Sequence, residues 1–327
     1  MQTTQILRRT AVAAGLLMAA AVAMPAFADA NYPNRAITMV VGYPPGGSTD
    51  LVGRLVADGL SARLGQPVVV ENLGGAGGAI GAQKVAKSAA DGYTIMVGAN
   101  NELAIARLIN KSVKYSIQDF TALGLVASQP MVLVASQKAG VKNTAEFIAA
   151  VAKNPGKFSY GSSGVGTALH LAGETVQDQG NLKMTHIPYR GVAPLTTDLV
   201  GNNIEYGVFV LSSGLPQIQS GKVIALGTTE AKRSAITPDI PALSENPAFK
   251  NVDLGSWFAM MGPANLPKPI QDKLKKALSD TLASADFRKK LAATGSTVMD
   301  QKVDPAKFID AEIAKYAKIV DIAKIED

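Results

Sequence analysis

The sequence predicts an α/β protein of two lobes, with mostly parallel sheets flanked by helices. Three observations carry this. Runs rich in β-formers alternate with helical patterns through most of the chain, and parallel neighbours need a crossover helix. The alternation starts again after Val132, Leu133 and Val134. The length of 327 residues suits two domains, each able to bury its own core.

The first strand is read at residues 37–41 (Ile-Thr-Met-Val-Val), ending in the turn Pro44, Pro45, Gly46, Gly47. Apolar residues at Leu51, Val52, Leu55, Val56, Leu60 and Leu64 then repeat at helical spacing, and Gly65 is the stop. A second strand covers residues 67–70. A Gly-rich stretch at 74–81 opens a short helix through Val85, and a third strand at 93–97 follows the Asp91-Gly92 turn. In the second series a strand at 157–160 meets the loop 161–166 and a helix over 167–179. Strands at 184–187, 204–210 and 223–226 follow, with a helix over 193–200. Two helices close the chain. One runs from Lys268 to Ala293. The other starts at Pro305, with Asp304 as N-cap. If these helices return to the first lobe, the chain crosses between lobes twice. The expected division is residues 29–127 with 228–327 as lobe I and 128–227 as lobe II.

Composition removes whole classes of function. Hydrophobic residues make up 47% and charged residues 18%, which excludes a disordered or fibrous chain. The absence of cysteine excludes disulfides, thiolate metal sites, iron–sulfur clusters and a cysteine nucleophile. Two histidines, His170 and His186, cannot build a multi-histidine metal site, and no metal or other cofactor is expected. The net charge of +6 is spread along the chain, so it favours anionic ligands mildly and leaves no nucleic-acid footprint.

Residues 1–28 read as a secretory signal peptide: Arg8 and Arg9, an apolar run over 11–24, and the small–x–small site Ala26, Phe27, Ala28. The run is too short for a membrane span. The expected mature protein is exported and soluble, and in a Gram-negative cell it is periplasmic. The arginine pair raises twin-arginine export, but Thr10, Ala11 and Val12 supply no bulky hydrophobe after it.

Each series holds one strand–loop–helix unit rich in Gly and Ser: Tyr43 to Asp50, with Gly46, Gly47, Ser48 and Thr49, and Tyr160 to Thr167, with Ser162, Ser163, Gly164, Val165 and Gly166. Such a helix start offers unpaired N–H groups and the positive end of the helix dipole. Glycine admits an anion close to the backbone, and hydroxyls add donors. Two such ends facing each other would grip a carboxylate with no arginine. Each could also be an ordinary helix cap; the recurrence of the unit in both lobes favours binding. Asn100 and Asn101 follow the third strand at the same sheet edge, where they read a polar ligand group or cap the next helix.

Nucleotide and catalytic signatures fail. Thr167 stands where a phosphate-binding loop needs lysine, and Ile80 breaks the dinucleotide pattern. There is no Gly-x-Ser-x-Gly elbow. His170 and Glu174 have i,i+4 spacing, read as a structural pair. His186 and Trp257 are read as structural. The alternative function is an exported hydrolase using Ser162 or Ser163 with His170, but no acid completes a triad.

Taken together, the ordered blocks resemble the Bug-type solute receptors of tripartite tricarboxylate transporters (the TctC-like family). They include Tyr43-Pro-Pro-Gly-Gly-Ser-Thr-Asp50, Leu64-Gly-Gln-Pro-Val-Val-Val-Glu-Asn72, Asp91-Gly-Tyr-Thr94, Tyr160-Gly-Ser-Ser-Gly-Val-Gly-Thr167, His170-Leu-Ala-Gly-Glu174 and His186-Ile-Pro-Tyr-Arg-Gly191. The resemblance implies a type II-like periplasmic binding protein of the Venus-flytrap kind. It would be a monomer that closes on a small organic carboxylate and is read by an inner-membrane permease or a sensor. The two loops would hold the carboxylate through backbone N–H groups, hydroxyls and water. Tyr43, Asn100, His170 and Tyr189 complete the candidate set. Tyr43 stands where the family more often has Phe, Arg190 where it has Lys, and the segment from Asn100 to Glu102 follows no family pattern, so the ligand's identity is not implied.

Overall fold

The computed structural model describes residues 31–323; the signal peptide read at 1–28 lies outside them. β1 (Ile37–Val41) pairs in parallel with β2 (Val68–Asn72) and β3 (Thr94–Ala99). Between them run α1 (Ser48–Leu64) and α2 (Ala79–Ala86). α1 buries Val52, Val56, Leu60 and Leu64, one stripe at i,i+4 spacing, and ends at Gly65, whose φ of 70° suits a left-handed C-cap.

After β3 the chain makes a π-type turn at Asn101–Ile105 and a short α3 (Ala106–Ile109), then enters β4 (Phe120–Ser136). This 17-residue strand belongs to both halves of the molecule. From Phe120 to Pro130 it pairs with β9 (Gly255–Pro263), and from Met131 to Ser136 with β7 (Tyr206–Val210) and β8 (Val223–Thr228). Register shifts on both stretches bend and twist it, which lets one strand serve two sheets.

The second half repeats the parallel arrangement. β5 (Ser159–Ser162) pairs with β6 (Thr185–Pro188) and with β7, crossed by α5 (Ala168–Gly180) and α6 (Val192–Val200). α4 (Thr144–Lys153) and α7 (Leu211–Gln219) flank it. The fold is the two-lobed α/β architecture the sequence predicts. The sheets, however, are parallel only in their outer strands. β3–β9, β4–β9, β4–β7 and β4–β8 are all antiparallel, because β4 and β9 enter as long returns between the halves and not as βαβ crossovers.

The C-terminal segment expected as one helix from Lys268 to Ala293 is two, α8 (Lys268–Ala283) and α9 (Ala285–Ala292), broken at Ser284. A two-residue β10 (Thr297–Val298) pairs with β4. α10 (Pro305–Ala323) starts where Asp304 accepts from the Lys307 amide. It packs against the turn after β3 and against α5. Its Tyr316 and Ile309 are fully buried in the core cluster shared by both halves, which also holds Trp257.

Candidate functional site

The two loops are built on one plan. In each, a glycine with positive φ (Gly46 at 87°, Gly166 at 69°) precedes an extended N-cap (Gly47, Thr167) and then a helix, α1 or α5. In each, the glycine amide donates to the side chain four residues on. Gly46 N donates to Asp50 Oδ2 at 2.9 Å, and Gly166 N donates to His170 Nδ1 at 3.0 Å. Asp50 is in turn held by the oppositely charged Arg54 four residues further, and at the same spacing His170 Nε2 lies 3.6 Å from Glu174.

The first loop is the more tightly tied. Asp50, 2% exposed, also accepts from Arg54 Nε at 3.0 Å and from Asn72 Nδ2 at 2.8 Å. The Asn72 amide also reaches the Tyr43 carbonyl. Burial alone would raise the Asp50 carboxyl, but the Arg54, Gly46 and Asn72 donors outweigh it and hold it below its ordinary value. Asp50 therefore shapes the loop and has little left to offer a ligand. The amides of Ser48 and Thr49, in the first turn of α1, lack helical acceptors. A Cβ on Gly47 would meet nothing nearer than Pro44 O at 3.9 Å, so the space above it is open.

In the second loop Ser162 is fully buried and folds back on Gly164, both accepting from its amide and donating to its carbonyl. Thr167 Oγ1 donates to Gly164 O and accepts from His170 N and from Ser163 Oγ. Val165 is exposed. Tyr189 covers Gly161 with its ring and donates its hydroxyl to Asp198 of α6 at 2.7 Å. Burial, with Asp198, pushes that phenol up to about 12.

His170 is enclosed. Its Nδ1 accepts from Gly166, its Nε2 lies 3.6 Å from Glu174, and one face stacks on His186 at 3.8 Å between ring centres. Nothing polar on the ring is left for a ligand. His186 Nε2 sits 2.7 Å from Ser162 Oγ. Burial, reinforced by His170, lowers the His186 pKa to about 4.

The structure brings the two loops to opposite ends of one side chain. Asn101 Oδ1 accepts from Ala168 N, the first amide of α5, at 2.7 Å, and its Nδ2 donates to Tyr43 OH at 3.2 Å. Tyr43 OH lies 2.6 Å from Glu102 Oε2. Glu102 also accepts from Ala99 N, and burial pushes its carboxyl up to about 7 against these donors. Beside this bridge Gly166 packs on Ile109 so closely that a Cβ would stand 1.9 Å from Ile109 Cδ1. Asn100 does not join them. It is 2% exposed and donates to Tyr316 OH and Gly255 O, which tie β3 to α10 and β9. Sequence reasoning did not single out Asn72, Glu102 or Ile109. Asn72 lies inside a quoted block, and Glu102 directly follows the weighed asparagines.

A cavity of about 360 Å³ is lined by Glu102, Leu103, Arg107, Tyr115 and Asp310 among others, and by no residue of either loop. Among the described residues no cluster of His, Asp and Glu is suited to a metal, and no helix is long and apolar enough to cross a membrane.

A family model described as "Tripartite tricarboxylate transporter family receptor" matches residues 52–325. Solved structures agree along nearly the whole chain. A Rhodopseudomonas palustris protein, Rpa4515 with adipate, is 30% identical with a TM-score of 0.85, covering 90% of this chain and 99% of that one. The periplasmic binding protein BugD is 34% identical with a TM-score of 0.82, covering 90% and 99%. MatC from Rhodopseudomonas palustris, with bound malate, is 28% identical with a TM-score of 0.80, covering 88% and 100%.

Proposed function

The chain belongs to the tripartite tricarboxylate transporter receptor family, and on that premise we propose that its two loops close on one carboxylate of a small organic acid. The protein is a periplasmic solute receptor and not an enzyme. The observation that carries the site is the bridge from Tyr43 through Asn101 to Ala168: it joins two helix N-termini of the same construction. In this reading the amides and hydroxyls of Ser48 and Thr49 and the amide of Ser163 receive the anion, with Gly46, Gly47, Gly164, Val165 and Gly166 giving the backbone its approach and Thr167 capping α5. Tyr43, Asp50, Ser162, His170 and Tyr189 hold the loops in shape. A water-poor closed site strengthens each of these hydrogen bonds.

The change of partners along β4 supports lobes of 29–127 with 228–327 and of 128–227. Export with cleavage near Ala28, a monomeric state, and transfer of the ligand to an inner-membrane permease or a sensor belong to the same proposal. The hydrolase alternative is not supported. The serine–histidine contact that forms is Ser162–His186, its serine is fully buried, and among the described residues no carboxylate hydrogen-bonds to His186.

The test is a thermal-shift screen of organic acids that includes adipate and malate. A ligand at a hundred times its Kd stabilises by about 2.7 kcal/mol, which raises Tm by several degrees. Hits confined to sugars or amino-acid amides would overturn the carboxylate reading.

A further inference from the structure

The two loops share a lock but not its chemistry. Gly46 is held by a carboxylate that neighbouring donors keep ionised, so its acceptor persists well into acid. Gly166 is held by an imidazole lone pair. A backbone N–H can only donate, so Nδ1 must be bare for that bond to exist. We propose that His170 is a positioning residue that keeps the second loop in its anion-receiving shape only while Nδ1 is unprotonated, so that mild acid loosens the loop and releases the carboxylate. This rests on the receptor reading above and adds to it the regulation of the same site.

The surroundings favour this switch over a static contact. A proton on Nδ1 would point at the Gly166 N–H, donor against donor, while Nε2–H stays beside Glu174 at 3.6 Å. The carboxylate thus stabilises the protonated ring as it loses the loop. Glu174 is itself fixed by Tyr160 OH at 2.5 Å and Gln177 Nε2 at 3.0 Å. Several other titratable and charged groups on the elements around α5 are buried or already have partners. His186 of β6 stacks on the ring and is kept neutral by burial. On β7, Tyr206 is buried, and the adjoining Glu205 accepts from Ser159 N. On α10, Glu312 serves Trp257 and Lys315, and Tyr316 serves Asn100. Displacement of Gly166 would also disturb its contact with Ile109 and the neighbouring Ala168–Asn101 bridge, so a proton at His170 is felt where the two halves meet.

The decisive measurement needs no ligand. In ¹⁵N–¹H spectra between pH 8 and pH 5, the Gly166 amide should move with the same midpoint as the His170 ring protons. In His170→Asn, Oδ1 replaces the Nδ1 acceptor and cannot titrate, so that movement should vanish. Binding is then read with adipate and malate as probes. Wild-type affinity should fall about tenfold per pH unit below the His170 midpoint. His170→Asn should lack this fall, so the difference from wild type should grow toward acid, and His170→Ala should bind weakly at every pH. Glu102 titrates in the same window, so the wild-type-minus-His170→Asn difference is the reading. A Gly166 amide that ignores the His170 titration, a ring that does not titrate between pH 5 and 8, or a His170→Asn profile equal to wild type would each overturn the proposal. If neither acid binds at any pH, the ligand reading falls for these acids, and the Gly166 resonance still decides the lock.

Discussion

Replacing Asn101 by alanine should shift the protein toward an open arrangement without unfolding either half. The carboxamide makes one bond across the interface, 2.7 Å to Ala168 N, and is aimed by a second within its own half, 3.2 Å to Tyr43 OH. A net worth of about 0.5–1.5 kcal/mol for the bond that crosses gives roughly 1 kcal/mol, or ~5-fold in the open-to-closed ratio. Both donor and acceptor regain water when the halves part, so the cost falls on closure and not on folding. The Ile109–Gly166 contact remains in the variant and sets a floor under the closed population. The absence of native cysteine makes the assay clean: Lys87→Cys and Lys183→Cys, both at exposed positions, carry a donor–acceptor dye pair, and single-molecule transfer efficiency is read with no added carboxylate. Asn101→Ala should gain a low-efficiency population at unchanged Tm within about a degree or two. Superimposable distributions for the two proteins would refute the bridge as a determinant of closure.

Three further outcomes follow from the geometry. Asp50→Ala strands the Gly46 and Asn72 donors, Gly46 being the one that shapes the loop; with Arg54 half exposed, the loss should be about 3 kcal/mol and lower Tm by roughly 6–12 °C in a melt at pH 7. In wild type the same carboxylate, depressed on folding, contributes stability above the ordinary Asp range that disappears as pH falls through its folded value, so Asp50→Ala and wild type should converge in acid melts. Glu102 has the opposite sign: raised on folding to about 7, it binds its proton more tightly in the native state, so stability declines as pH rises from about 4.5 through 7. Glu102→Gln should gain up to about 3 kcal/mol relative to wild type at pH 8 and nothing at pH 4, read by melts at both. Gly47→Ala and Gly166→Ala should separate. The first meets open space and should keep its Tm while weakening carboxylate binding; the second needs positive φ and collides with Ile109, so it should lose stability and closure together.

Much of this architecture was legible in the chain because its signals are local. Gly65 as a stop, Asp304-Pro305 as a start and the stripe from Val52 to Leu64 need no tertiary information. The two loops were legible for the same reason. What escaped depends on contacts distant in sequence. Of β4 only Val132 to Val134 stood out and of β9 only Trp257, and their mutual pairing makes them the long antiparallel spine. Asn100 and Asn101 look alike in sequence, yet the turn after β3 sends one toward Tyr316 and the other toward Ala168. The spacing Gly46–Asp50–Arg54 and Gly166–His170–Glu174 was there to be read, but a glycine donating to an acid in one loop and to an imidazole in the other is recognisable only once both bonds are seen.

The placement of β9 has a consequence for how the polypeptide comes to be. The edge of β3 finds no neighbour until Met261 is made to stand against Met96, and α10 closes over Trp257 later still. A ribosome therefore releases most of this chain with its amino-terminal sheet half built and its edge unsatisfied. Such long-range closure slows folding. Until β9 arrives, that edge stays open to pairing with other strands.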